Sequence, residues 1–471
     1  MRKFNFSFIN LGCNKNLVDT QFLLGNIFYL SGNNPNYEIN YSVDPYDQDV
    51  KYVFLNTCGF ISSARYEMFE TIELLLSKHK IIYLLGCGLY YFENLDTSQM
   101  DEKEKKIWKS ILDNKNIHFL SRSDWNNISI ENLIDGYDAE GLKESVLYSG
   151  VRAYTNAKYK FEYLKIAEGC NNKCTFCIIP KIRGKQKSLP IEEIVQEVQN
   201  MLNAGIEEII LIAQDTNRYG VDLYGKASLF ELLENLEQIE GDWKYRILYL
   251  YPDILTLRQL EKLKNFKKFI PYFDIPLQHI SENILKNMGR FYDQKHIYKL
   301  LDFIENNFET RFVRTNIIVG FPGETEKNFN ELCDFLKQYS FDNIAIFEYH
   351  DEPLADSSKL ENKIDEKTIR KRFKILEKIS KEGKTTGKKG KTKNDRLVTK
   401  NRDSNFSIKS SNFGYVMGFK GTEKNPIIIV RPRLHAPEID SYDEIKLANI
   451  VEIYENQDGI DIGTKILYNK K

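Results

Sequence analysis

Three cysteines stand close together in one short run of the chain, Cys170, Cys174 and Cys177, with the spacing C-x3-C-x2-C. Cysteine thiolates are soft ligands, and three of them in one loop can hold three corners of a cubane iron-sulfur cluster. The missing fourth protein ligand leaves one iron open to a small molecule. A structural zinc ion is the alternative, but it needs a fourth ligand, and no His or Cys follows within the usual spacing.

A second set of cysteines is scattered over the first part of the chain. Cys13, Cys58 and Cys87 each follow a predicted strand by a few residues or fewer. Parallel strands joined by helices place their carboxyl ends at one edge of a sheet, so we expect these thiols to converge there and hold a second cluster. The glycines beside them, which allow close backbone approach to a cluster, are Gly12, Gly59, Gly86 and Gly88. For any one cysteine alone, burial as a small apolar side chain is the alternative.

The composition excludes several classes of protein. The chain has 471 residues and a formal net charge of −1, so it lacks the basic excess of a protein that works mainly by binding polyanions. Its apolar runs are far shorter than the roughly 20 residues of a membrane-spanning helix, and its start has no signal-peptide pattern. These features predict a cytoplasmic protein that makes no membrane contact. Seven cysteines are too few, and odd in number, for a disulfide framework. The seventh, Cys333, lies in a helical apolar pattern and is expected to pack in a core.

Two regions of the chain must position the cysteines. Alternating strand and helix patterns over residues 1–135 predict an N-terminal parallel βαβ domain. Over residues 156–361, six strand-like runs, each followed by a turn and a helix-like segment, predict a partial (β/α)6 barrel with fewer units than a closed barrel. The fold class is therefore α/β. The C-x3-C-x2-C run directly follows the first barrel strand, and the active face of such a barrel is where its strands end.

The last part of the chain differs in composition. Residues 362–393 hold 13 Lys and Arg against four acids, a local net charge of +9, and predict a basic helix that runs into a linker. A solvated helix and a patch that touches RNA or the ribosome are both consistent with this charge. Residues 394–471 show short strands separated by turn residues and predict a small antiparallel β-barrel.

The run over residues 169–177 resembles the signature of the radical S-adenosylmethionine (SAM) enzymes. The resemblance implies that the open iron of a 4Fe-4S cluster binds the amino and carboxylate groups of SAM, and that the reduced cluster cleaves SAM to a radical. It also implies that Phe176, which stands where the family usually has an aromatic residue, lies against the SAM adenine. Core packing beside the cluster is the alternative for Phe176.

The three regions in this order look like the methylthiotransferases, and the resemblance runs nearly end to end. In that family both clusters are 4Fe-4S, and the C-terminal barrel is called the TRAM domain. One branch modifies an adenosine in transfer RNA, and the other modifies an aspartate of small-subunit ribosomal protein twelve. Motifs similar to the ribosomal-protein branch lie at residues 11–19, 56–61, 212–216, 249–252, 274–279 and 436–440. The transfer RNA branch is the alternative, and the +9 segment is its best support.

The resemblance also implies the reaction and its partners. A C–H bond at the aspartate Cβ is replaced by C–S–CH3, with two 4Fe-4S clusters held by the six clustered cysteines and two molecules of SAM. The substrate is a small-subunit ribosomal protein or the ribosomal subunit. An electron donor such as a flavodoxin or ferredoxin, and a sulfur donor, are required. No catalytic residue beyond the cluster ligands is assigned.

Polar residues at the ends of the barrel strands are candidates for contact with SAM or with the substrate carboxylate. They are Gln214, Gln278 and Arg314, and Arg314 offers a bidentate fork for a carboxylate. The alternative for each is a satisfied polar residue of the barrel interior.

A protein of another class, a two-cluster electron carrier, would ligate each cluster with four protein groups. Six clustered cysteines for two clusters argue against it.

Overall fold

The computed structural model describes residues 2–31, 36–121, 130–135, 151–339, 341–385, 411–422, 425–446, 450–454 and 462–469. The chain divides into two compact units. The first unit consists of Met1–Tyr154, Lys165–Leu189 and His350–Leu360. The second unit consists of Thr155–Leu164, Pro190–Tyr349 and Glu361–Lys471. In the described ranges, no helix combines the length and the apolar character that a membrane span requires.

The N-terminal part of the first unit is a parallel sheet. Its strands are β1 (Arg2–Asn10), β2 (Tyr37–Tyr41), β3 (Tyr52–Thr57), β4 (Ile81–Gly86) and β5 (Ile117–Phe119). Its helices are α1 (Asn14–Ser31), α2 (Ser62–Ser77), α3 (Cys87–Asn94), α4 (Glu102–Leu112) and α5 (Ile130–Asp135). The strand order is β2-β1-β3-β4-β5, and neighbouring strands are parallel. The predicted parallel βαβ domain is confirmed.

The central strands of this sheet are buried because helices cover both faces. All six residues of β3 are buried, as a strand needs when both of its faces are covered. Leu55 and Ile72 belong to one apolar cluster, to which α2 contributes. Phe54 and Ile27 belong to the other, to which α1 contributes.

The elements that follow form the middle of the chain. They are β6 (Phe161–Lys165), β7 (Ala167–Glu168), α6 (Ile179–Arg183), β8 (Lys187–Ser188), α7 (Ile191–Asn203), β9 (Glu208–Ile212), α8 (Val221–Tyr224), α9 (Leu229–Glu237), β10 (Lys244–Ile247), α10 (Leu257–Asn265), β11 (Phe269–Asp274), α11 (Glu282–Asn287), α12 (Gln294–Asn307), β12 (Phe312–Val319), α13 (Glu326–Gln338), β13 (Asn343–Glu348) and α14 (Glu366–Thr385).

Six of these strands form one sheet in the order β13-β12-β11-β10-β9-β6. The pairings from β9 through β13 are parallel. This order follows the chain, as successive right-handed βα units require. The predicted (β/α)6 sheet is therefore confirmed.

The start of helix α13 is determined by local sequence, because Thr325 and Asn328 form a capping box there.

The C-terminal region is an antiparallel sheet. Its strands are β14 (Ser411–Thr422), β15 (Asn425–Pro432), β16 (Asp443–Lys446), β17 (Ile450–Tyr454) and β18 (Lys465–Asn469). Their order is β16-β15-β14-β18-β17, and the paired strands are antiparallel. The side chains at its core are Val416, Ile428, Val430, Ile445 and Tyr468. The predicted antiparallel character is confirmed.

Candidate functional site

Cys13, Cys58 and Cys87 lie at one edge of the N-terminal sheet. Cys13 follows β1, Cys58 follows β3 directly, and Cys87 is the first residue of α3 after β4. The strands β1, β3 and β4 are neighbours in the sheet and parallel, so their carboxyl ends are adjacent. The structure therefore places the three cysteines where the strand pattern predicts them. Cys13 is exposed, Cys58 is partly buried and Cys87 is buried.

The loops that carry these cysteines touch each other through glycines. A Cβ on Gly59 would lie 2.5 Å from the Cys87 carbonyl oxygen. A Cβ on Gly88 would lie 2.6 Å from Thr57 Oγ1. Real side chains do not make such contacts, so the backbones can approach only because these residues lack a Cβ. Gly59 and Gly88 are predicted from sequence to allow close backbone approach to a cluster. In the structure they allow close approach between the segments that carry Cys58 and Cys87.

Asn16, in the first turn of α1, connects two of the three strand ends. Its Nδ2 donates hydrogen bonds to Asn56 Oδ1 at 2.8 Å and to the Thr57 carbonyl at 3.0 Å. Its Oδ1 lies 3.5 Å from Cys13 Sγ and 3.9 Å from Cys87 Sγ. Asn16 is buried and holds two of the cysteines near one amide oxygen. The sequence analysis does not single it out.

Arg183 is the last residue of α6, the helix that follows the C-x3-C-x2-C run, and its side chain contacts both Cys87 and Asn16. Its Nε donates to Cys87 Sγ at 3.0 Å, and its Nη2 donates to Asn16 Oδ1 at 2.6 Å. Its Nη1 donates to both oxygens of Glu168 at 2.9 Å. The side chain is only 1% exposed. All of these groups belong to the first unit, so one buried guanidinium joins them.

Glu168 and Gly184 tie Arg183 to the loop of the C-x3-C-x2-C run. Glu168 Oε1 accepts from the Gly169 N–H at 3.2 Å, immediately before Cys170. The Gly184 carbonyl, directly after Arg183, accepts from the Cys170 N–H at 3.1 Å. A chain of direct hydrogen bonds therefore runs from Cys87 through Arg183 and Glu168 to Gly169, which is covalently bonded to Cys170.

Two further buried charges complete this group. Lys165 forms ion pairs with Asp19 and Glu168, and Arg183 lies 3.7 Å from Asp19. We call Arg183, Glu168, Lys165 and Asp19 the cysteine-site network. Each of the four side chains is at most 6% exposed. Two cations against two carboxylates keep the network neutral, which buried charges require.

The charges around the thiols shift their pKa values in different directions. Surrounding protein raises the pKa of Cys13, but the cations of Lys15 and Arg183, together with hydrogen bonds from the Asn16 and Lys15 backbone, lower the pKa overall. Burial, with the neighbouring Cys87, raises the pKa of Cys58 to about 12. Burial alone would lower the pKa of Arg183, but Cys87 and the nearby carboxylates raise it well above its usual range. Arg183 is therefore a permanent cation beside a thiol.

The loop of Cys170, Cys174 and Cys177 is tightly turned. The Cys177 N–H donates to the Cys174 carbonyl at 3.1 Å, and the Asn172 N–H lies 3.4 Å from Cys170 Sγ. The loop begins at Gly169, whose φ of 77° lies in the left-handed region. A Cβ there would lie 2.3 Å from the Lys185 carbonyl oxygen, so only glycine fits.

Phe176 lies between the last two cysteines of this loop and is partly buried. Its contact with a SAM adenine stays a prediction.

The donor set of each cysteine triad fits an iron-sulfur cluster. Thiolates are the ligands such clusters use, and each thiolate of a cubane binds a different iron, so the sulfurs need not meet at one point. Among the described residues, no three His, Cys, Asp or Glu side chains lie close enough to share a single metal ion. The Arg183 N–H at Cys87 also suits a thiolate that carries negative charge.

Gln214 and Gln278 follow the carboxyl ends of strands in the second unit, whereas Arg314 does not, because it is the third residue of β12. Gln278 follows β11 and Arg314 lies on the neighbouring strand β12, whereas Gln214 follows β9, two strands away from β11. Gln278 has a φ of 68°, unusual for a residue other than glycine. It is held there because its backbone exchanges hydrogen bonds with Asn316 and Ile318 at 2.7 and 2.8 Å. Strained backbone of this kind clusters at functional sites.

The Arg314 fork already binds a carboxylate of the protein. Its Nη1 donates to Asp274 Oδ1 at 2.7 Å, and Asp274 Oδ2 accepts from the Tyr249 N–H at 2.9 Å. Tyr249 has a φ of 61°, so the carboxylate of Asp274, at the end of β11, holds both an arginine and a strained backbone. No sequence signal marks Asp274, the last residue of β11, as the partner of Arg314, which the strand pairing places beside it on β12.

Two family models match this chain. Residues 164–336 match the family described as the Radical SAM superfamily, and residues 5–108 match the family described as Uncharacterized protein family UPF0004. The first match implies a 4Fe-4S cluster and SAM as cofactors. A solved structure similar to this chain is the radical S-adenosylmethionine methyltransferase TsrM from Kitasatospora setae, with a TM-score of 0.48, 11% identity and 73% of each chain covered.

Curated relatives cover most of the chain. The ribosomal protein uS12 methylthiotransferase RimO of Dictyoglomus thermophilum is 38% identical over 379 residues, which is 79% of this chain and 82% of the relative. The protein of the same name from Clostridium acetobutylicum is 40% identical over 354 residues, 74% of this chain and 75% of the relative. With this identity over most of both chains, and with the radical SAM match over the cysteine loop, the chain belongs to the RimO family of radical SAM methylthiotransferases.

Proposed function

We propose that this protein transfers a methylthio group to the β-carbon of an aspartate in ribosomal protein uS12. The curated relatives carry the name ribosomal protein uS12 methylthiotransferase, and the sequence motifs resemble the branch that acts on a ribosomal-protein aspartate. An aliphatic C–H bond offers no handle to acid-base groups at neutral pH, so the reaction depends on cofactors. The protein must hold these cofactors and exclude water.

The proposal assigns one cofactor to each cysteine triad. Cys170, Cys174 and Cys177 hold the 4Fe-4S cluster that binds SAM, and a second 4Fe-4S cluster is held by three other thiols: Cys13, Cys58 and Cys87. When bound, these groups supply the radical that removes hydrogen and the sulfur that replaces it. The reaction uses two molecules of SAM.

The observation that carries the proposal is the hydrogen-bond chain from Cys87 through Arg183 and Glu168 to Gly169. It supports two triads that act together, because Arg183 contacts one triad, and its buried partner Glu168 contacts the residue that precedes the other. Arg183 would orient Cys87 and offset the negative charge of its thiolate. Glu168 and Asp19 would hold the guanidinium in that orientation.

The barrel residues would hold SAM and the substrate. We propose that Phe176 lies against the adenine of SAM, and that Gln214, Gln278 and Arg314 bind its polar groups. The ion pair with Asp274 would fix the orientation of Arg314 and leave the rest of its guanidinium to meet a ligand.

The domain assignment follows from the same proposal. Residues 1–135 form the N-terminal domain of the second cluster, and residues 156–361 form the radical SAM barrel. Residues 362–393 form the basic helix and linker, and residues 394–471 form a TRAM-like barrel. The protein would act in the cytoplasm, with a flavodoxin or ferredoxin as electron donor and a separate sulfur donor.

An anaerobic iron and sulfide count tests the cluster assignment. We expect about eight irons per wild-type chain and about four in each of the variants Cys13→Ala and Cys170→Ala. The control is Cys333→Ala, which removes a buried thiol of α13 outside both triads and should leave the count unchanged. A wild-type count of about four would contradict the second cluster, as would a colourless preparation of the Cys170→Ala variant after reconstitution.

A substrate assay tests the reaction. Reconstituted protein, SAM, sulfide and a reductant are incubated with ribosomal protein uS12 or with transfer RNA, and the mass of each is measured. We expect the mass of one methylthio group on uS12. A mass gain on transfer RNA alone would favour the transfer RNA branch and reject the proposal. No effect of SAM on the EPR signal of the reduced cluster would indicate an electron carrier.

A further inference from the structure

Helix α14 carries a row of cations on one face. Between Glu366 and Lys381 the sequence has seven Lys and Arg against two acids. Six of the seven are exposed, and these are Lys367, Arg370, Lys371, Lys374, Lys378 and Lys381. With 3.6 residues per turn they fall within an arc of about 100° and extend along roughly 21 Å of helix. We call these six residues the α14 cation row.

The opposite face of α14 is packed into the second unit. Ile369, Leu376 and Ile379 are buried there. Arg372 donates to Glu324 Oε1 at 2.7 Å and to the Glu324 carbonyl at 2.9 Å, at the start of α13. The cation row is therefore held on a rigid element whose orientation is fixed by packing.

The helix's own acids neutralise little of the row. Glu366 lies 3.4 Å from Arg370, and Glu377 lies 3.9 Å from Lys381. Such exposed pairs contribute little free energy and are screened by salt. In the part of the chain that the structure describes, Lys367, Lys371 and Lys374 form no ion pair. The row thus presents net positive charge on a chain whose formal net charge is −1.

The chemistry of the row favours a polyanion over a membrane or an apolar protein surface. A helix that lies in a membrane turns its apolar face to the lipid, but the apolar face of α14 is packed inside the protein. The cores of protein interfaces are depleted of lysine. Neighbouring cations on a helix stand about 5–6 Å apart, and lysine ammonium groups bind phosphates as point charges. A repeating phosphate backbone fits this pattern.

We infer that the α14 cation row binds the RNA phosphate backbone of the small ribosomal subunit. The choice of this RNA rests on the proposed function, because a uS12-modifying enzyme meets ribosomal RNA when its substrate is assembled. RNA is recognised largely through its backbone and shape, so a straight row of ammonium groups is sufficient and no base contact is required. The row would favour uS12 in its RNA-bound form over free uS12.

RNA binding by the full-length holoenzyme tests the inference. The variant changes Lys367, Arg370, Lys371 and Lys374 to Gln, which keeps helix propensity and removes four charges. The matched control changes four exposed lysines of α4 to Gln, and these are Lys103, Lys105, Lys106 and Lys109. Fluorescence anisotropy with a small-subunit ribosomal RNA transcript is measured from 50 to 200 mM KCl, and circular dichroism confirms that both variants are folded.

We expect the α14 variant to bind RNA at least tenfold more weakly at low salt. The slope of log K against log salt should fall in magnitude by about 3, because each lost phosphate contact removes about 0.7 to 0.9. The α4 control should keep the wild-type slope. Equal slopes for wild type and the α14 variant would overturn the inference, and so would equal losses in both variants. If polyglutamate competes as strongly as RNA, the row binds an acidic protein instead, and the inference is overturned.

A second arm separates this inference from the proposed function. The α14 variant should modify free uS12 at the wild-type rate and the assembled small subunit at least tenfold more slowly. Equal rates on the subunit would contradict the inference. Absence of wild-type activity on both substrates would reject the proposed function, whereas the salt slope would still decide whether the row binds RNA.

Discussion

Each of the two units buries a group of charged side chains, and the partners of the two groups differ. In the first unit, the cysteine-site network directs one donor of Arg183 at the Cys87 thiol. In the second unit, Glu208 accepts from Arg246 at 2.6 Å and from Arg431 at 2.7 Å. We call these three residues the barrel network.

The barrel network ends on the backbone of the C-terminal region. Arg246 donates to the Leu434 carbonyl at 3.0 Å and to the Arg433 carbonyl at 2.9 Å. Glu208 starts β9, Arg246 lies on β10 and Arg431 lies on β15, so the network ties the barrel sheet to the C-terminal sheet. Burial opposes ionisation of Glu208, but Arg246 and Arg431 hold its pKa below the ordinary value.

The partners of the two networks indicate that their buried charges have different roles. Removing one partner of a buried pair is costly, so both networks must stay complete for the fold. The barrel network meets carboxylate and backbone oxygens, which indicates a purely structural tether. The cysteine-site network also meets a thiol that we assign to a cluster, which indicates that it tunes a reactive centre. Variants in the barrel network should therefore lower stability alone, whereas variants in the cysteine-site network should lower both stability and activity.

The largest effect is expected for Arg183→Gln. It leaves Glu168 and Asp19 with less charge compensation and removes the hydrogen bond to Cys87, so we expect a 10- to 100-fold loss of methylthiolation rate. The midpoint potential of the N-terminal cluster should fall as well, measured by EPR in a chain that lacks the other triad. The control is Lys181→Gln on the same helix, an exposed residue that should change neither quantity. Wild-type activity and midpoint potential in the Arg183→Gln variant would contradict the claim that the cysteine-site network tunes a reactive centre.

Glu208→Gln should mainly change stability. It leaves two buried arginines without their shared carboxylate, and we expect the free energy of unfolding to fall by about 3–5 kcal/mol in urea denaturation. The iron content per folded chain should stay at the wild-type value, because the network contacts no cysteine among the described residues. Loss of iron in this variant at temperatures where it is folded would contradict a purely structural role.

The effect of Glu208→Gln should depend on pH. The pKa of Glu208 is lowered in the folded protein from an ordinary value of 4.5, so its ionised form stabilises the fold above that pH. This contribution is lost as the pH falls below 4.5 through the folded pKa. The gap in melting temperature between wild type and variant should be full at pH 7 and shrink at pH 3.5. A gap of constant size would show that charge is not its cause.

The smallest effect is expected for Tyr163→Phe. The Tyr163 hydroxyl of β6 lies 2.9 Å from the Pro437 carbonyl oxygen and 3.2 Å from Glu438 Oε2, and it donates to these acceptors of the C-terminal region. Its loss should lower the free energy of unfolding by about 1 kcal/mol. Urea denaturation of this variant and of Glu208→Gln compares the loss of a hydroxyl hydrogen bond with the loss of a buried carboxylate that pairs with two arginines. An equal loss in both variants would mean that charge adds nothing to the tether.

Several features of this protein are determined by local sequence. The C-x3-C-x2-C spacing predicts one cluster site because its ligands are a few residues apart. The strand patterns predict the parallel N-terminal sheet, the six barrel strands and the antiparallel C-terminal sheet, since hydrophobic periodicity and turn residues act over short distances. The placement of Cys13, Cys58 and Cys87 at one sheet edge follows from the same pattern, because parallel strands share the direction of their ends.

Only the tertiary structure decides which polar residues complete the site. Arg183 meets Cys87 from 96 positions away and Asn16 from 167 positions away. Asp274 meets Arg314 across two neighbouring strands. A charged residue that will be buried has no local pattern that separates it from a solvated one, because its burial depends on a partner brought by the fold. The placement of the N-terminal cysteines at one sheet edge could therefore be predicted from sequence, whereas the charges that surround them could not.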